Sequence, residues 1–483
     1  MVAMRKIARE EILRRLAQLN PWWDKPHAVP EMYSRCRPRS YLPHFLALLG
    51  ATEIRRAVVL MGPRRVGKTF MLHHAIQELL RRGTNPRDIM YVSVEHPVFN
   101  GLSLDQILEL FVEATARGSL SGTGTSYVFF DEIQYLRDWE LHLKALVDTN
   151  PHVRAASSGS SAAALRLKSV ESGAGRFSDM MLPPLTFQEF LMLLDKERLL
   201  QEPTEGDQGI WPAVDIEALN EEFVHYLNFG GYPEVVLSEV IQRAPEQFIR
   251  ADIIEKVLLR DLPSLYGIQD IPELNSLFTT LAYNTANEIS LDELSKQSGV
   301  AKNTIKRYIG YLEAAFLVRV VHRVDRAGKR FERQNFFKIY LTNPSIRAAL
   351  FAPVAEGDDS MGSLVETAVF AQWFHSDVQL HYARWHNGEV DIVNLGQSLR
   401  PQWAVEAKWS DRIVEHPEEL VSLTGFCAAN GLSAATVTTK TRVETQPYRG
   451  VTIEYRPAST YCYTVGRNLV AHWLDRKGAK VLK

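Results

Sequence analysis

A glycine-containing motif that directly follows a short apolar run constrains the fold more than any other feature of the chain. Residues 62–69 read GPRRVGKT, and the apolar run 57–61 precedes them. The glycines let the backbone curl so that several N–H groups face a phosphate, while the lysine and the threonine add a cation and a hydroxyl. The motif therefore predicts a strand, a phosphate-binding loop and a helix within an α/β domain. A glycine turn that binds no nucleotide is the alternative, which the flanking strand and helix disfavour.

This motif assigns a nucleotide and Mg²⁺ to named positions. Lys68 is expected to reach the β- and γ-phosphates of a nucleoside triphosphate such as ATP, and Thr69 to place its hydroxyl on Mg²⁺. The helix predicted from Phe70 to Leu80 adds its positive dipole end to the same anion. The residues of the motif that we expect to contact the nucleotide are Gly62, Pro63, Arg64, Arg65, Val66, Gly67, Lys68, Thr69 and Phe70.

An acidic pair after a second apolar run extends the prediction from binding to hydrolysis. The run 127–130 ends at Asp131 and Glu132. Because the carboxyl ends of parallel strands meet at one edge of a sheet, we expect Asp131 to hold the Mg²⁺ shell. Glu132 is then expected to polarise the attacking water. Such a pair alone also occurs in solvated loops, but together with the glycine motif it indicates hydrolysis.

Two further residue types are candidates for contacts with the γ-phosphate. Apolar runs at 90–94 and 153–156 predict neighbouring parallel strands, and the second run leads into a serine-rich segment. Ser158 or Ser160 is expected to sense the γ-phosphate, with a plain turn as an equal alternative. Arg176 is a candidate for neutralising the transition state, either in cis or from a neighbouring subunit of a homo-oligomer. A surface arginine without this role is the alternative.

A basic helical pair in the second half of the chain predicts contact with DNA. Ser290 and Glu293 have capping-box spacing, Gly299 ends the first helix, and a second helix runs from about Lys302 to Leu312. Two short helices around a glycine turn are typical of a helix-turn-helix, whose second helix would enter a groove. The candidate DNA contacts are Lys302, Asn303, Lys306, Arg307 and Arg330. A packing module, or one that docks on the nucleotide domain, is the alternative.

A basic segment follows this helical pair and is expected to form a hairpin that grips phosphates. Its basic residues are Arg323, Arg326, Lys329, Arg330 and Arg333.

Carboxylates and a lysine near the C-terminal end predict a second, independent chemistry. Glu406 and Lys408 alternate on a predicted strand and so share one face, and Asp391 lies on the preceding hairpin strand. Asp391 and Glu406 would bridge Mg²⁺, while Lys408 would orient or help deprotonate water and offset negative charge. Glu366, on a predicted helix, adds an acidic group. Retention of these residues for packing alone is the alternative.

The chain resembles prokaryotic AAA-type ATPases whose nucleotide domain is joined to a long domain of unknown function, number 4143. The resemblance is carried by GPRRVGKT, FFDEIQYL, SSGSS, LPPLTFQEF, FGGYPE and LLRDL, and it covers most of the chain from about residue 55. It implies a P-loop ATPase domain, a winged helix and a restriction-endonuclease-like module of the PD-(D/E)xK type.

In that type of nuclease the pattern is an aspartate followed by E-x-K. Asp391, Glu406 and Lys408 match it, and Glu366 matches the acidic helix residue that is often added. Val390 stands where a proline often precedes the aspartate. The resemblance thus implies metal-dependent cleavage of DNA, which the departure at this position weakens.

The expected fold class is α/β with several domains, because 483 residues exceed what one hydrophobic core usually supports. We expect a parallel P-loop sheet, a helical region with a winged helix, and a C-terminal α/β nuclease-like domain. The expected boundaries are 1–50 for a helical arm packed through Trp22 and Trp23, 51–195 for the ATPase domain, 196–285 for a helical connection, 286–350 for the winged helix and 351–483 for the nuclease-like domain.

Composition limits the setting of this chemistry. The charged N-terminal segment does not fit a secretory signal, and no apolar stretch approaches the roughly 20 residues that span a bilayer. We therefore expect a cytoplasmic protein that has ATP and DNA as partners and no membrane. A net charge of −2 disfavours indiscriminate coating of nucleic acid. The leading interpretation is an ATP-hydrolysing, DNA-directed enzyme in which the nucleotide state repositions the winged helix and the nuclease-like module. A nucleotide-dependent regulator or scaffold, which binds DNA or protein without cutting, is the alternative function.

Overall fold

The computed structural model describes residues 8–99, 101–116, 124–159, 175–204, 209–331, 335–376, 378–396 and 398–476. The chain divides into two compact units, one of residues 1–182 with 472–483 and the other of residues 183–471. The first unit contains the glycine motif and the acidic pair, and the second contains the basic helical pair and the carboxylate cluster. In the described ranges, no helix has both the length and the apolar character needed to cross a membrane.

The first unit is built around a parallel β-sheet. Its strands are β1 (Ala57–Met61), β2 (Ile89–Ser93), β3 (Ser126–Asp131), β4 (Val153–Gly159) and β5 (Phe177–Met181). They are ordered β2-β3-β4-β1-β5, and each adjacent pair is parallel. Every residue of β1 is buried. Strands of a parallel sheet are covered on both faces, which explains why β1, β2 and β3 contain continuous apolar runs.

The helices of the first unit lie on both sides of the loop motif in sequence. They are α1 (Arg9–Leu19), α2 (Glu31–Ser34), α3 (Leu42–Gly50), α4 (Lys68–Arg81), α5 (Leu104–Ala114) and α6 (Trp139–Thr149). Helix α5 starts with a capping box, in which Ser103 Oγ accepts from the N–H of Gln106 and the Gln106 side chain accepts from the N–H of Ser103.

The segment that follows α1 covers the open edge of this sheet, where β2 lies. Asn20 Nδ2 donates to the carbonyl oxygen of Tyr91 at 2.8 Å, and the Tyr91 N–H donates to Asn20 Oδ1 at 2.6 Å. The indole N–H groups of Trp22 and Trp23 both donate to the carbonyl oxygen of Ile89, at 3.0 and 2.7 Å. An uncovered edge strand offers unpaired N–H and C=O groups to other chains. The expected packing of the paired tryptophans is therefore confirmed.

The helices of the second unit surround a mixed sheet. They are α7 (Phe187–Leu193), α8 (Ile216–Phe229), α9 (Pro233–Val236), α10 (Glu239–Gln242), α11 (Leu262–Tyr266), α12 (Ile271–Tyr283), α13 (Leu291–Ser298), α14 (Lys302–Ala314), α15 (Ser345–Phe351), α16 (Met361–Gln372), α17 (Arg412–Glu415), α18 (Val421–Asn430) and α19 (Ala458–Arg476). Two π-helical segments, Glu246–Glu255 and Val257–Asp261, precede α11.

The strands of the second unit form a sheet that crosses the boundary expected at residue 350. They are β6 (Glu288–Ser290), β7 (Val318–Val324), β8 (Phe336–Leu341), β9 (Leu380–Trp385), β10 (Gly388–Leu395), β11 (Pro401–Glu406), β12 (Ala434–Thr439), β13 (Glu444–Tyr448) and β14 (Val451–Pro457). Their order is β13-β14-β12-β11-β10-β9-β7-β8-β6. The parallel pairing of β7 with β9 joins the strands on the two sides of that boundary.

Helices α13 and α14 form as their sequence pattern predicts. Ser290 Oγ accepts from the N–H of Glu293 at 3.3 Å, and Gly299, with a φ of 72°, ends α13. The i, i+3, i+4, i+7 positions of α14 are buried, which leaves its charged positions in solvent. These buried positions are Ile305, Tyr308, Ile309 and Leu312.

Candidate functional sites

The glycine motif forms a loop between the end of β1 and the start of α4. Gly67 has a φ of 93°, and a Cβ atom at Gly62 would lie 2.2 Å from the carbonyl oxygen of Leu182. Both positions therefore favour glycine. Lys68 Nζ donates to the carbonyl oxygens of Gly62 and Pro63 at 3.0 and 2.8 Å. The ammonium group thus lies across the loop from which the motif predicts contacts with phosphates.

Hydroxyl groups hold Asp131 in place at the end of β3. Thr69 Oγ1 and Tyr91 OH each donate to Asp131 Oδ2 at 2.8 Å, and Ser158 Oγ donates to Asp131 Oδ1. Burial raises the pKa of Asp131 above its ordinary value, against the opposing effect of hydrogen bonds such as that from Ser158. The structure therefore brings together the threonine of the loop, the first acid of the pair and the predicted serine.

Glu132 follows with its backbone in the left-handed region, at φ 57° and ψ 47°. This conformation costs a non-glycine residue on the order of 1 kcal/mol or more, and it persists only where the surroundings hold it. The Glu132 N–H donates to Ser158 Oγ at 3.2 Å, and its Oε2 accepts from Gln134 Nε2. These contacts hold Glu132 in its left-handed conformation directly after Asp131.

The remaining predicted nucleotide contacts differ in exposure. Arg64 is half-buried and Arg65 is exposed. Phe70 is half-buried against Tyr33, with ring centroids 4.9 Å apart in an edge-to-face arrangement. Ser160, the alternative γ-phosphate sensor, lies outside the described residues.

A buried arginine that the sequence did not predict supports the loop. Arg39 Nη1 donates to the carbonyl oxygen of Val66 at 2.7 Å. Its guanidinium carbon lies 5.8 Å from the ring centroid of Tyr41. No spacing pattern links Arg39 to the glycine motif, so only the three-dimensional structure reveals this contact.

Arg176 lies at the amino ends of the strands, whereas the loop lies at their carboxyl ends. Its carbonyl oxygen accepts from the N–H of Ala57, the first residue of β1, whereas the loop follows the last residue of β1. At about 3.3 Å per residue, the two ends of this strand are roughly 13 Å apart. The Arg176 guanidinium also pairs with Asp148. Of the two roles left open for Arg176, action in cis is therefore disfavoured, because the parallel direction of β5 puts Arg176 at the amino ends of the strands.

Helix α14 presents the predicted DNA-contacting side chains to solvent. Lys302, Asn303, Lys306 and Arg307 are exposed. Lys302 also forms an ion pair with Asp292 of α13. The solvent-exposed face of α14 therefore carries three basic residues.

The basic segment after β7 is only partly available to a ligand. Arg330 is exposed, and its Nη2 donates to Gln379 Oε1 at 2.8 Å. Arg323 donates to a backbone carbonyl of β9 at 3.0 Å and lies 3.7 Å from Glu288 Oε1. The expectation that Arg323 grips phosphates is wrong, because the pairing of β7 with β9 turns it toward these partners. Arg333 lies outside the described residues.

The carboxylates and the lysine of the second predicted chemistry converge. Lys408 Nζ lies 2.8 Å from Glu406 Oε1 and 3.5 Å from Asp391 Oδ2. The antiparallel pairing of β10 with β11 places the two acids side by side. The N–H of Ala407 donates to Asp391 Oδ2 at 2.9 Å, and Thr438 Oγ1 bonds to both backbone groups of Lys408 at 2.7 Å. The side chains converge as predicted, although β11 ends at Glu406, so that Lys408 lies beyond the strand on which it was expected.

A second lysine, which the sequence did not predict, lies among these acids. The Lys338 side chain is 3% exposed, and its Nζ lies 2.9 Å from Glu366 Oε1, 2.8 Å from Glu389 Oε1 and 3.7 Å from Asp391 Oδ1. Tyr340 OH also donates to Glu366 Oε1 at 2.6 Å. Glu366 of α16 thus joins the cluster through Lys338. The signal for Lys338 was a single charge within the apolar run of β8.

Residues 54–191 match the family model described as AAA domain. That range contains the loop, the acidic pair and Ser158. The first unit carries an AAA-type P-loop domain. A second family model, Domain of unknown function (DUF8612), matches residues 220–356; its number differs from the 4143 that the resemblance implies.

Relatives of the chain include uncharacterized proteins of two prokaryotes. One, from Methanocaldococcus jannaschii, is 26% identical over 349 residues, which are 70% of this chain and 72% of the relative. Another, from Haemophilus influenzae, is 22% identical over 343 residues, which are 69% of this chain and 78% of the relative.

Solved structures with some likeness to this chain include those of two eukaryotic proteins. The S. cerevisiae Hsp104-ADP complex has a TM-score of 0.30 and 13% identity, with 59% of this chain and 39% of that chain covered. C. elegans PCH-2 has a TM-score of 0.26 and 14% identity, with 51% of this chain and 67% of that chain covered. Both likenesses are too distant to bear on activity.

The AAA domain has the donor atoms that Mg²⁺ prefers. Thr69 offers a hydroxyl oxygen and Asp131 a carboxylate, and they are in direct contact. Mg²⁺ takes oxygen ligands and keeps several waters, so that one or two protein groups with substrate phosphates suffice. A divalent ion would also favour the charged form of Asp131, which burial disfavours. These residues therefore fit the metal that the motif predicts.

The carboxylate cluster of the second unit also fits one magnesium ion. Asp391 and Glu406 supply carboxylate oxygens, and among the described residues Glu406 Oε2 is buried without a hydrogen-bond partner. No set of three or more His, Cys, Asp or Glu side chains within the described ranges is arranged to hold a metal. Mg²⁺ is often bound by only one or two carboxylates together with water. Asp391 and Glu406 therefore supply ligands of the right type and number for one ion.

The pKa values of this cluster reflect its crowding. Burial, with the nearby charge of Asp391, raises the pKa of Glu406 to about 7. Burial likewise raises the pKa of Glu366 to about 7, although Lys338 opposes the rise. Burial would lower the pKa of Lys408, but Asp391 and Glu406 outweigh it and raise the value. In this arrangement Lys408 is an ammonium group that can orient water, and the expected role in deprotonating water is disfavoured.

Proposed function

We propose that the AAA domain binds ATP with Mg²⁺ and hydrolyses it. The observation that carries this proposal is the hydrogen bond from Thr69 Oγ1 to Asp131 Oδ2, because it unites the loop with the acidic pair. The loop N–H groups and Lys68 would hold the phosphates, Thr69 and Asp131 would hold the metal, and Glu132 would orient the attacking water. Bound Mg²⁺ would supply charge neutralisation at the phosphate oxygens.

Two supporting roles in this proposal depend on the surroundings of the loop. Ser158, which bonds both Asp131 and the backbone of Glu132, would sense the γ-phosphate through that contact. Arg176 would act only on the site of a second copy of the chain, which requires a homo-oligomer. Loss of activity in Arg176→Ala that is rescued by mixing with Lys68→Ala would support this trans role.

Steady-state ATP turnover tests the hydrolysis proposal. We expect Lys68→Ala to abolish turnover, Glu132→Gln to bind ATP without turnover, and Thr69→Val to lower kcat by about 100-fold, typical for loss of a positioned charge-stabilising group. Thr149→Val is the matched control, because that hydroxyl donates to the carbonyl oxygen of Ala145 and accepts from Asn150 Nδ2, and neither of these described contacts involves the loop or the acidic pair. Turnover that is unchanged in Lys68→Ala would contradict the proposal.

We further propose that the second unit cleaves DNA with a divalent metal. The convergence of Asp391, Glu406 and Lys408 within 3.5 Å contacts supports this proposal. Asp391 and Glu406 would hold the metal, and Lys408 would orient water and offset the charge of the phosphate. The bound metal would supply a polarised phosphate oxygen and an acidified water.

The exposed face of α14 would bring DNA to this centre. Lys302, Lys306 and Arg307 provide positive charge for phosphates, and Asn303 provides donors and acceptors for base edges. Arg330 would add a phosphate contact. This surface is the proposed winged-helix contact, with β7 and β8 as the strands that follow its helices.

Cleavage of linear double-stranded DNA in Mg²⁺ or Mn²⁺ tests the nuclease proposal. We expect Asp391→Asn to abolish cleavage while ATP turnover stays intact, because the two centres use different residues. Asp359→Asn, which changes an exposed aspartate of the same unit, is the matched control. Intact DNA with either metal, with and without ATP, would contradict cleavage.

The alternative proposal is a nucleotide-dependent regulator or scaffold that binds DNA or protein and leaves it uncut. The contacts of Glu366 Oε1 with Lys338 and Tyr340 favour this alternative, since that oxygen is already hydrogen-bonded without a metal. Intact DNA together with ATP-dependent retention of DNA would support it. A role in defence or genome maintenance is compatible with either form of the proposal.

A further inference from the structure

Lys338 is a buried ammonium group, and its described ion-pair partners are acids in and beside the carboxylate cluster. Its side chain is 97% buried, and it lies within 4 Å of Glu366, Glu389 and Asp391. A buried charge persists only where it is paired and hydrogen-bonded. The acids therefore hold Lys338 in the cluster, and Lys338 holds them in place.

The charges of the cluster nearly cancel. Glu389 also pairs with Arg384 at 3.0 Å, so that these two side chains offset each other. The inner acids Glu366, Asp391 and Glu406 face the ammonium groups of Lys338 and Lys408. Among the described side chains this leaves one net negative charge when all three acids are ionised, which is the state that a divalent ion held in the cluster would favour.

The two lysines divide the cluster into different halves. Lys338 lies between Glu366 and Glu389, and Tyr340 OH bonds to the same Glu366 oxygen, Oε1, as Lys338. On the other side, Glu406 Oε2 is the buried oxygen without a described hydrogen-bond partner. An oxygen available to a metal is therefore found on the side of Asp391 and Glu406, and the other half already contains a cation.

We propose that Lys338 is a positioning residue whose ammonium fills the place of a second cation, so that this centre takes a single divalent ion on Asp391 and Glu406. The inference rests on the metal-dependent cleavage proposed above. One divalent ion and one phosphodiester, added to the net negative charge, bring the centre to neutrality. A second divalent ion would leave an excess of two positive charges in a buried place.

Mn²⁺ binding to the full chain without nucleotide tests this inference. The number of bound ions is measured by calorimetry and by the electron paramagnetic resonance signal of free Mn²⁺. The ions that are lost in Asp391→Asn belong to this centre. We expect one such ion in the wild-type protein, two in Lys338→Met and one in Lys338→Arg, which keeps the charge. Lys296→Met, at an exposed lysine of α13, is the control and should keep one.

Each other result has a distinct meaning. Two ions in the wild-type protein, or one ion with unchanged affinity in a folded Lys338→Met, would overturn the inference and leave the cleavage proposal standing. A folded Lys338→Met that binds none would overturn it as well. No Asp391-dependent ion in the wild-type protein would overturn the cleavage proposal and the inference together. If Lys338→Met does not fold, as judged by circular dichroism, the wild-type and Lys338→Arg counts decide.

Discussion

The hydroxyl of Thr69 donates a hydrogen bond to Asp131 Oδ2 at 2.8 Å, although these residues are 62 positions apart. The contact exists because β1 and β3 are parallel strands of one sheet, so that the loop after β1 and the acid at the end of β3 meet at the same edge. Lys68 and Ser158 lie on elements that reach the same edge. The arrangement of the AAA domain can therefore be tested one contact at a time.

Tyr91→Phe removes a hydroxyl that holds the buried Asp131 carboxylate. We expect the free energy of unfolding to fall by about 1.5–3 kcal/mol, the range for hydrogen bonds to charged groups, and ATP turnover to fall as well. Urea denaturation and steady-state turnover measure the two effects. Tyr127→Phe, on the neighbouring strand, is the control and should change neither. Equal stability of Tyr91→Phe and the wild-type protein would show that this bond contributes nothing.

Arg39→Met should weaken nucleotide binding, because Arg39 supports the loop through the carbonyl oxygen of Val66. Loss of a hydrogen bond from a charged donor is worth about 1.5–3 kcal/mol, which corresponds to roughly a 10- to 100-fold higher Kd for ATP. Titration with a fluorescent ATP analogue measures this change. Arg35→Met, at an exposed position nearby, should leave the Kd unchanged. An unaltered Kd in Arg39→Met would rule out support of the loop by this arginine.

The first unit should lose stability as the pH falls from about 6.5. Burial, followed by the charge of His74, lowers the pKa of His73 to about 3. The unfolded chain binds this proton near pH 6.5, so the contribution is present above that pH and is lost as the pH falls toward the folded-state value. Between pH 6.5 and 5 we expect a loss of about 2 kcal/mol from His73.

His73→Phe, which keeps a ring against Tyr33, should flatten this dependence in urea denaturation at each pH. His152→Gln, at an exposed histidine, should retain it. The same slope in all three proteins would mean that His73 does not carry the effect.

Lys306→Ala and Arg307→Ala test whether the exposed face of α14 contacts DNA. Each phosphate contact contributes about 0.9 to the slope of log K against log salt concentration. We expect each substitution to lower that slope by about this amount for a double-stranded oligonucleotide, with Lys296→Ala as the control. Unchanged slopes would favour the packing role of these helices.

Local patterns predicted the phosphate loop well, since a strand, a glycine loop and a helix are adjacent in sequence. The acidic pair was also predictable, because a strand that ends in Asp131 and Glu132 delivers both to the loop edge. Arg176 shows where this reasoning fails. Its distance from the loop depends on the direction and position of β5, which no spacing in the sequence reveals.

The carboxylate cluster likewise contains some residues that the sequence predicts and others that it does not. Asp391 and Glu406 were predictable because they belong to adjacent hairpin strands, and Lys408 follows two residues after the end of the second strand. Lys338 and Tyr340 were not, because they come from β8, which reaches the cluster only through the order of strands in the sheet. A lysine in an otherwise apolar strand was the available signal, but the sequence does not indicate which acids this lysine contacts.

We expect the nucleotide held by the AAA domain to govern DNA cleavage by the second unit, and the rate of DNA cleavage in two variants with fixed nucleotide states tests this coupling most directly. The measurement compares Glu132→Gln, which we expect to hold ATP, with Lys68→Ala, which we expect to lack it, on linear DNA with Mg²⁺ and ATP. Asp391→Asn, added to each of these two variants, gives the rate that remains without the proposed cleavage site. We predict cleavage rates that differ at least about 10-fold, or about 1.4 kcal/mol in activation free energy. Equal rates would contradict control of cleavage by nucleotide, and absence of cleavage in the wild-type protein and both variants would contradict the nuclease itself.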